Sequence, residues 1–379
     1  MLKYEEEERN GFSFLGLFSG AGGMDLGFEL AGFDHTESNE ILDYAVETLK
    51  VNRPNWDIVH GDVREYKPSF KKGLDVLLAG FPCQGFSLGG NRDESDERNS
   101  LYKEVIRIAE LMQPKVIVME NVLNLRTMKH PETGKPFAKQ ISDELAAIGY
   151  KTKFDFFRVS EHGVPQTRRR FILIASKEID LQYLQFPARQ NHTRIREFVY
   201  ELGQDTNINL QNHSASWGFK SHVHEETGEK FSGDEVAIPV RLSRTASDGN
   251  PIRTFEVPFP AIDTATVWGW AQGNVKAKRV SKDRSNSKFV RNPNSTAKLW
   301  RISASKIRPF TAREYARLQT FPDDWTFVGK NKREFQLQIG NAVPVEFARR
   351  LACQIREGMT AFYNGEKIRY VEPKQTQLW

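Results

Sequence analysis

The chain has 379 residues, with 54 Lys and Arg against 49 Asp and Glu, a formal net charge of +5, and only two cysteines. That length supports a large core, as two domains or as one domain with a long insertion. The lack of an apolar run of about 18 residues and the acidic start at Glu5, Glu6, Glu7 and Glu8 argue against a membrane span or a secretory signal, so a cytoplasmic protein is expected. Cys83 and Cys353 are too far apart in sequence for a metal motif or a disulfide framework, and His222 and His224 have no thiolate companion, so no metal site is expected.

Phe12 to Phe18 reads as a strand, Ser19-Gly20-Ala21-Gly22-Gly23 as a turn, and Met24, Leu26, Phe28, Leu30 and Ala31 as the apolar face of a helix. Glycines let the backbone approach a ligand, and a helix N-terminus favours a negative group such as the carboxylate of a methionine moiety. Many structural turns share this pattern, so the next strand ends sharpen it. A strand from Asp34 to Asn39 delivers Glu40, about 20 residues beyond the turn, the usual spacing for a carboxylate that holds ribose hydroxyls. A third strand, Asp57 to His60, leads into Gly61-Asp62-Val63, where Asp62 can accept a hydrogen bond from an exocyclic amine such as that of adenine, or simply be an exposed turn residue. The turn is Gly-x-Gly-Gly, against the Gly-x-Gly-x-x-Gly expected for NAD, and no hydride-transfer site follows.

Leu74 to Leu78 is a buried strand candidate that runs into Ala79-Gly80-Phe81-Pro82-Cys83-Gln84-Gly85-Phe86-Ser87. A lone cysteine is most simply a small core residue, but here Pro82 fixes the backbone ahead of the thiol, while Gly80 and Gly85 permit tight paths around it. The polar stretch Leu88 to Asn99 reads as a loop or a mobile lid, and a helix is expected from Ser100 to Met112 with Leu101, Val105, Ile108 and Leu111 on one face. Val116 to Met119 is the next strand, ending in Glu120-Asn121-Val122, on the same edge as Cys83 if the two strands are parallel. Further on, Gln166-Thr167-Arg168-Arg169-Arg170 enters the strand Phe171 to Ala175. Period-two geometry places Arg168 and Arg170 on one face, where they could bind a carbonyl oxygen, hold Glu120 or lower the thiol pKa of Cys83.

From about Leu181 to Ile307 periodicity weakens, and Lys276 to Arg308 is strongly basic, which is a solvated face or a phosphate-tracking surface. Arg241, Arg244, Arg253 and the stretch Thr264 to Lys278 are candidate base readers. A helix is expected from Arg308 to about Thr320, and a last one from Pro344 to Arg356 that buries Ala348, Leu351, Ala352 and Ile355, with Cys353 as core.

Gly-Phe-Pro-Cys-Gln at 80–84, together with the glycine turn, Glu120-Asn121-Val122 and Gln-x-Arg-x-Arg on Gln166, Arg168 and Arg170, resembles the DNA cytosine-5 methyltransferases of bacterial restriction-modification systems, from Phe12 almost to the end of the chain. The resemblance implies an α/β, Rossmann-like S-adenosylmethionine-dependent methyltransferase domain with a mostly parallel sheet over residues 1–180. It further implies a smaller target-recognition domain over 181–307, and a connecting helix and C-terminal segment over 308–379 that returns to the catalytic domain. Cys83, after Pro82, is then the nucleophile, and Glu120 meets the ring nitrogen N3 of cytosine. Arg170, with Arg168, holds the target base and the carboxylate. Phe18, Ser19, Gly20, Gly22 and Gly23 surround the methionine part of the cofactor, Glu40 takes its ribose, Asp62 and Val63 its adenine, and Asn341 reaches the same pocket. Two departures are Gly16, where the family often has Asp, and Ile41, where several members stack an aromatic residue.

The implied reaction is methyl transfer to carbon 5 of a flipped-out cytosine in double-stranded DNA, through a covalent cysteine adduct, by a modification enzyme or an orphan relative. The expected partners are duplex DNA and, acting separately, a cognate restriction endonuclease; a monomer and no membrane are expected. A tRNA cytosine-5 methyltransferase of the same fold, or a non-catalytic DNA-binding regulator, remains the alternative.

Overall fold

The computed structural model describes residues 2–69, 73–82, 100–204, 229–230, 237–241, 258–262, 264, 268–272, 276–279, 300–303 and 306–367. Strands β1 (Ser13–Leu17), β2 (Asp34–Glu40), β3 (Ile58–His60), β4 (Val76–Ala79), β5 (Val116–Val122), β6 (Lys151–Arg158) and β7 (Arg169–Ser176) form one sheet of order β3-β2-β1-β4-β5-β7-β6. The first five run parallel, and β7 pairs antiparallel with β5 and β6. The strand order reverses between β1 and β4, and the crevice beyond their carboxyl ends is where open α/β sheets take ligands.

The helices are α1 (Gly23–Leu30), α2 (Asp43–Asn52), α3 (Tyr102–Met112), α4 (Phe137–Ala147), α5 (Arg196–Gln204), α6 (Ala312–Leu318), α7 (Lys332–Asn341) and α8 (Val345–Tyr363). One face of the sheet, with Leu15, Leu77, Ile117 and Met119, packs under α3 and α4. The other, with Phe14, Val76, Leu78 and Val118, packs under α1 and α8. Burial of each such large side chain is worth roughly 1.5–3 kcal/mol, and coverage on both faces is why β4 and the first four residues of β5, Val116 to Met119, are apolar without interruption.

The buried face of α3 is Tyr102, Val105, Ile106, Ile108, Ala109 and Met112. Leu111, expected on that face, is 53% exposed, because Met112 takes the position four residues after Ile108 that meets the sheet. The last helix continues past Arg356 to Tyr363, since Met359 keeps the apolar stripe in the core.

β2 reads Asp-His-Thr-Glu-Ser-Asn-Glu, yet its last four residues are buried. Each of those polar side chains is bonded: Glu37 to Tyr66 and Ser69, Ser38 to Asp25, Asn39 to the carbonyls of Val59 and Gly61, and Glu40 to backbone N–H groups. Burial of polar groups is tolerated on those terms.

The remaining strands, β8 (Glu229–Lys230), β9 (Ala237–Arg241), β10 (Trp268–Gln272), β11 (Lys276–Arg279), β12 (Trp300–Ser303) and β13 (Lys306–Pro309), make two three-stranded antiparallel sheets, β13-β10-β9 and β12-β11-β8. Phe259, Trp268 and Trp270 share a core with Leu49 of α2, Tyr315 of α6 and Ile339 of α7. Among the described residues, no helix is long and apolar enough to cross a membrane, and no group of three or more His, Cys, Asp or Glu could hold a metal.

Candidate active site

β4 and β5 are parallel with Ala79 opposite Met119, so the chain leaving β4 at Gly80 is level with Glu120. A Cβ on Gly80 would lie 3.8 Å from Glu120 Oε2. Asn121 Nδ2 donates to the Phe81 carbonyl at 3.2 Å and so ties down the stretch that enters Pro82. Cys83, Gly85 and residues 88–99 lie outside the described residues, as do Arg244 and Arg253.

Antiparallel pairing sets Arg170 of β7 opposite Val122 of β5. From there Arg170 Nε forms an ion pair with Glu120 Oε1, both side chains being largely buried. Burial pushes the Glu120 carboxyl above the ordinary carboxylate range, and the Arg170 charge pulls the other way. The pair can therefore present either a proton or a charge-assisted acceptor to a ligand at the strand ends.

Arg168 is placed differently from the expectation that it joins Arg170 on the carboxylate. It precedes β7, and its Nη1 donates to the carbonyls of Gly340 at 2.6 Å and Ile262 at 3.2 Å, its Nη2 to that of Asn341 at 3.2 Å. Backbone acceptors beside the strand entrance capture the guanidinium before period-two geometry applies. Gln166 is equally engaged, donating to the Leu318 carbonyl and to Gln319 Oε1, both at 2.8 Å.

At the end of β1 the backbone turns through left-handed conformations at Phe18 (φ 57°), Gly20 (φ 57°) and Gly22 (φ 81°). A phenylalanine in that region is strained by on the order of 1–3 kcal/mol, a mark of backbone held for a purpose. Gly20 faces open space, whereas a side chain on Gly23 would collide with the Val343 carbonyl, so the segment after α7 lies directly on the turn. Asn341 ends α7 there with its side chain exposed.

Glu40 accepts hydrogen bonds from the N–H groups of Gly20 (2.7 Å), Ile41 (3.0 Å) and Leu42 (2.9 Å). Burial raises its pKa, and those backbone donors oppose the shift. Asp62 is bonded to Arg64 through Nε and Nη2, and the Val63 side chain is buried in the core beneath α3. Ile41 is 56% exposed beside them.

Asp25 escaped the sequence reading. It is 1% exposed in the first turn of α1, where its Oδ1 accepts from Ser19 Oγ at 2.9 Å and Ser38 Oγ at 2.8 Å. Burial pushes its pKa up to about 6, against the two serines. A side chain at Gly16 would overlap this carboxylate, so Asp25 occupies the space that an acidic residue at position 16 would fill. The available signal was an aspartate among the apolar residues Met24, Leu26 and Phe28 of α1, whose serine partners only the folded chain brings near.

The model of the C-5 cytosine-specific DNA methylase family matches residues 12–357. The chain is 32% identical over 352 residues to the Type II methyltransferase M.Eco47II of Escherichia coli, covering 89% of this chain and 77% of that one. It is 30% identical to the Type II methyltransferase M1.HphI of Haemophilus parahaemolyticus, over 90% of this chain and 85% of the relative. The solved S. pombe Dnmt2 methyltransferase shares the fold at a TM-score of 0.56 and 16% identity, over 92% of this chain and 99% of that one. The Entamoeba histolytica methyltransferase EhMeth does so at a TM-score of 0.53 and 15% identity, over 95% and 100%.

Proposed function

Since the chain belongs to the C-5 cytosine-specific DNA methylase family, we propose that it methylates carbon 5 of a flipped-out cytosine in a specific duplex sequence, with Cys83 as nucleophile, as the modification enzyme of a Type II restriction-modification system. The observation that carries the reading is the parallel register of β4 and β5. It sets Glu120, buried and held by Arg170, level with the backbone that leads through Pro82 to Cys83.

The crevice suits S-adenosylmethionine. Gly20 leaves room for a ligand against the backbone, and the buried carboxylates of Glu40 and Asp25 lie by the turn, which favours a cationic cofactor. Phe18, Ser19, Gly20, Gly22 and Gly23 would hold its methionine part, Glu40 its ribose, the Asp62–Val63 turn its adenine, and Asn341 would close the pocket. When bound, it supplies an electrophilic methyl group on a sulfonium.

Carbon 5 of cytosine is a weak nucleophile. Addition of the Cys83 thiolate to carbon 6 makes a C–S bond and pushes the ring electrons toward N3, where the Glu120 carboxyl gives its proton. Arg170 keeps that carboxyl aimed and takes up its charge. Carbon 5, now enamine-like, accepts the methyl group. Water then takes the carbon 5 proton, the electrons of that C–H bond restore the 5,6 double bond and expel the thiolate, and the N3 proton returns to Glu120. Swinging the base out of the duplex costs a few kcal/mol, about what contacts in such a pocket can offset. Residues 181–307 would face the duplex as a recognition domain, and the working form would be a cytoplasmic monomer, with a cognate endonuclease acting separately.

Wild type and Cys83→Ala are incubated with radiolabelled S-adenosylmethionine and with duplex DNA or tRNA, and methylcytosine is mapped by sequencing. Label at one short DNA motif, absent from the alanine variant, is the expected result. Label on tRNA alone, or DNA binding with no transfer, would overturn it.

A further inference from the structure

Two different sets of contacts separate the roles of the alternate arginines that flank the start of β7. Arg170 turns to Glu120, while Arg168, 4% exposed, spends both terminal nitrogens on the carbonyls of Gly340, Asn341 and Ile262, and its Nε is sealed from solvent. We propose that Arg168 is a positioning residue that clamps the end of α7 against the catalytic strand, keeping the segment after α7 on the cofactor turn, and that it does not touch the target base. This rests on the methyl-transfer reading above.

The clamp suits what it grips. Gly340 and Asn341 are the last residues of α7, where carbonyls lack intrahelical partners and carry the negative end of the helix dipole. A planar guanidinium spreads its donors over separate nitrogens in a rigid fork and here reaches carbonyls of three residues, whereas the three donors of an ammonium all leave from one nitrogen. Gln166, on the same approach to β7, adds a second grip: its Oε1 accepts from the Ile262 N–H at 3.2 Å, and Gln319, to which it donates, passes a hydrogen bond to the Ile339 carbonyl at 2.6 Å. Two residues beyond Asn341, the Val343 carbonyl rests on Gly23 at the start of α1. The Glu120–Arg170 pair and the Arg168–Asn341 contact are thus joined through the backbone at the start of β7, and the chain from Asn341 to Val343 carries the link to the glycine turn.

Without the guanidinium, the segment after α7 is free to move off the turn in the unliganded protein, and cofactor binding must pull it back. The cost then falls on cofactor affinity more than on the rate once cofactor is bound.

Arg168→Lys, Arg168→Ala and Arg170→Ala are compared with wild type by calorimetric titration with S-adenosylmethionine alone, by steady-state kinetics, by capture of a duplex containing 5-fluorocytosine, and by thermal melting. Arg168→Lys is expected to bind cofactor about tenfold more weakly and to raise its KM to match, with kcat at saturating cofactor within about threefold of wild type. Captured duplex should persist in Arg168→Lys and be lost in Arg170→Ala. A kcat loss of about 100-fold or more in Arg168→Lys with unchanged cofactor KM, as expected for Arg170→Ala, would overturn the proposal. So would an Arg168→Lys protein already unfolded at the assay temperature, which would make the clamp a general prop of the fold. Should Arg168→Ala not fold, the lysine variant decides. A wild type that binds S-adenosylmethionine but methylates no DNA sinks the methyl-transfer reading alone, and the binding comparison still judges Arg168.

Discussion

Glu120 is useful because burial raises its pKa above the ordinary carboxylate value, while Arg170 opposes the rise and holds the carboxyl in place. The acid form is the one that donates to N3, so the methylation rate should fall as pH rises through the folded-state pKa of Glu120, which lies above the ordinary carboxylate value. Glu120→Gln should lower kcat by on the order of 10²–10⁴ and flatten that alkaline limb, with duplex binding kept. A pH series of single-turnover rates for both proteins checks it. Asp25 makes a stability prediction. Its folded-state pKa of about 6 exceeds the unfolded value of 3.8, so between those pH values the native state keeps a proton that the unfolded chain has lost. Stability therefore drops as pH rises through that window, by up to about 3 kcal/mol. Asp25→Asn should remove this slope in urea titrations at pH 4 and pH 6.5.

At the scale of elements, the site depends on strand ends and on how closely helices approach them. Gly27 of α1 lets the Ala348 backbone of α8 come within contact, as Gly23 does for Val343, and these two glycines seat the C-terminal helix on the cofactor half. α6 is set by a capping box, in which Thr311 Oγ1 accepts from the Glu314 N–H at 3.2 Å and the Glu314 carboxylate accepts from the Thr311 N–H at 2.7 Å. Glu314 also accepts from Trp270 Nε1 at 2.7 Å, so the same residue ties β10 to α6. Thr311→Ala should cost about 1 kcal/mol in urea denaturation. Loss of the cap in a segment this deeply buried should leave the active-site pair intact. Elements with clean periodicity were legible in the sequence: β1, β4, β5 and α1 fall close to where the pattern puts them, and α8 starts there but runs on from Arg356 to Tyr363. Leu111 was misplaced because a one-residue ambiguity in phase, Leu111 or Met112 after Ile108, decides which side of α3 meets the sheet, and only packing resolves it.

For the whole molecule, the two parts of the chain share more core than their sequence texture suggests. β13 spans residues 306–309 across the division expected at 307/308, and Leu184, beyond the division expected at 180, packs with Phe347 and Leu351 of α8. The basic run from Lys276 to Arg308 has its electrostatic consequence at this scale. Duplex affinity should fall linearly with log salt, and each Lys→Gln change at a phosphate contact in the run should lower that slope by about one. Fluorescence titrations at several salt concentrations measure it, and an unchanged slope across the run would make these residues a solvated face.

By itself the sequence determined the fold class, the strand ends that meet at the crevice and the residue types delivered there. These are properties of local periodicity and of motifs a few residues long. Which arginine serves Glu120, which serves the carbonyls at the end of α7, and that Asp25 lies in the space beside Gly16 were decided only by the tertiary structure. Their partners are far apart in the chain, Arg168 from Asn341 and Asp25 from Ser38, and hydrogen-bond geometry between distant segments leaves no local pattern to read.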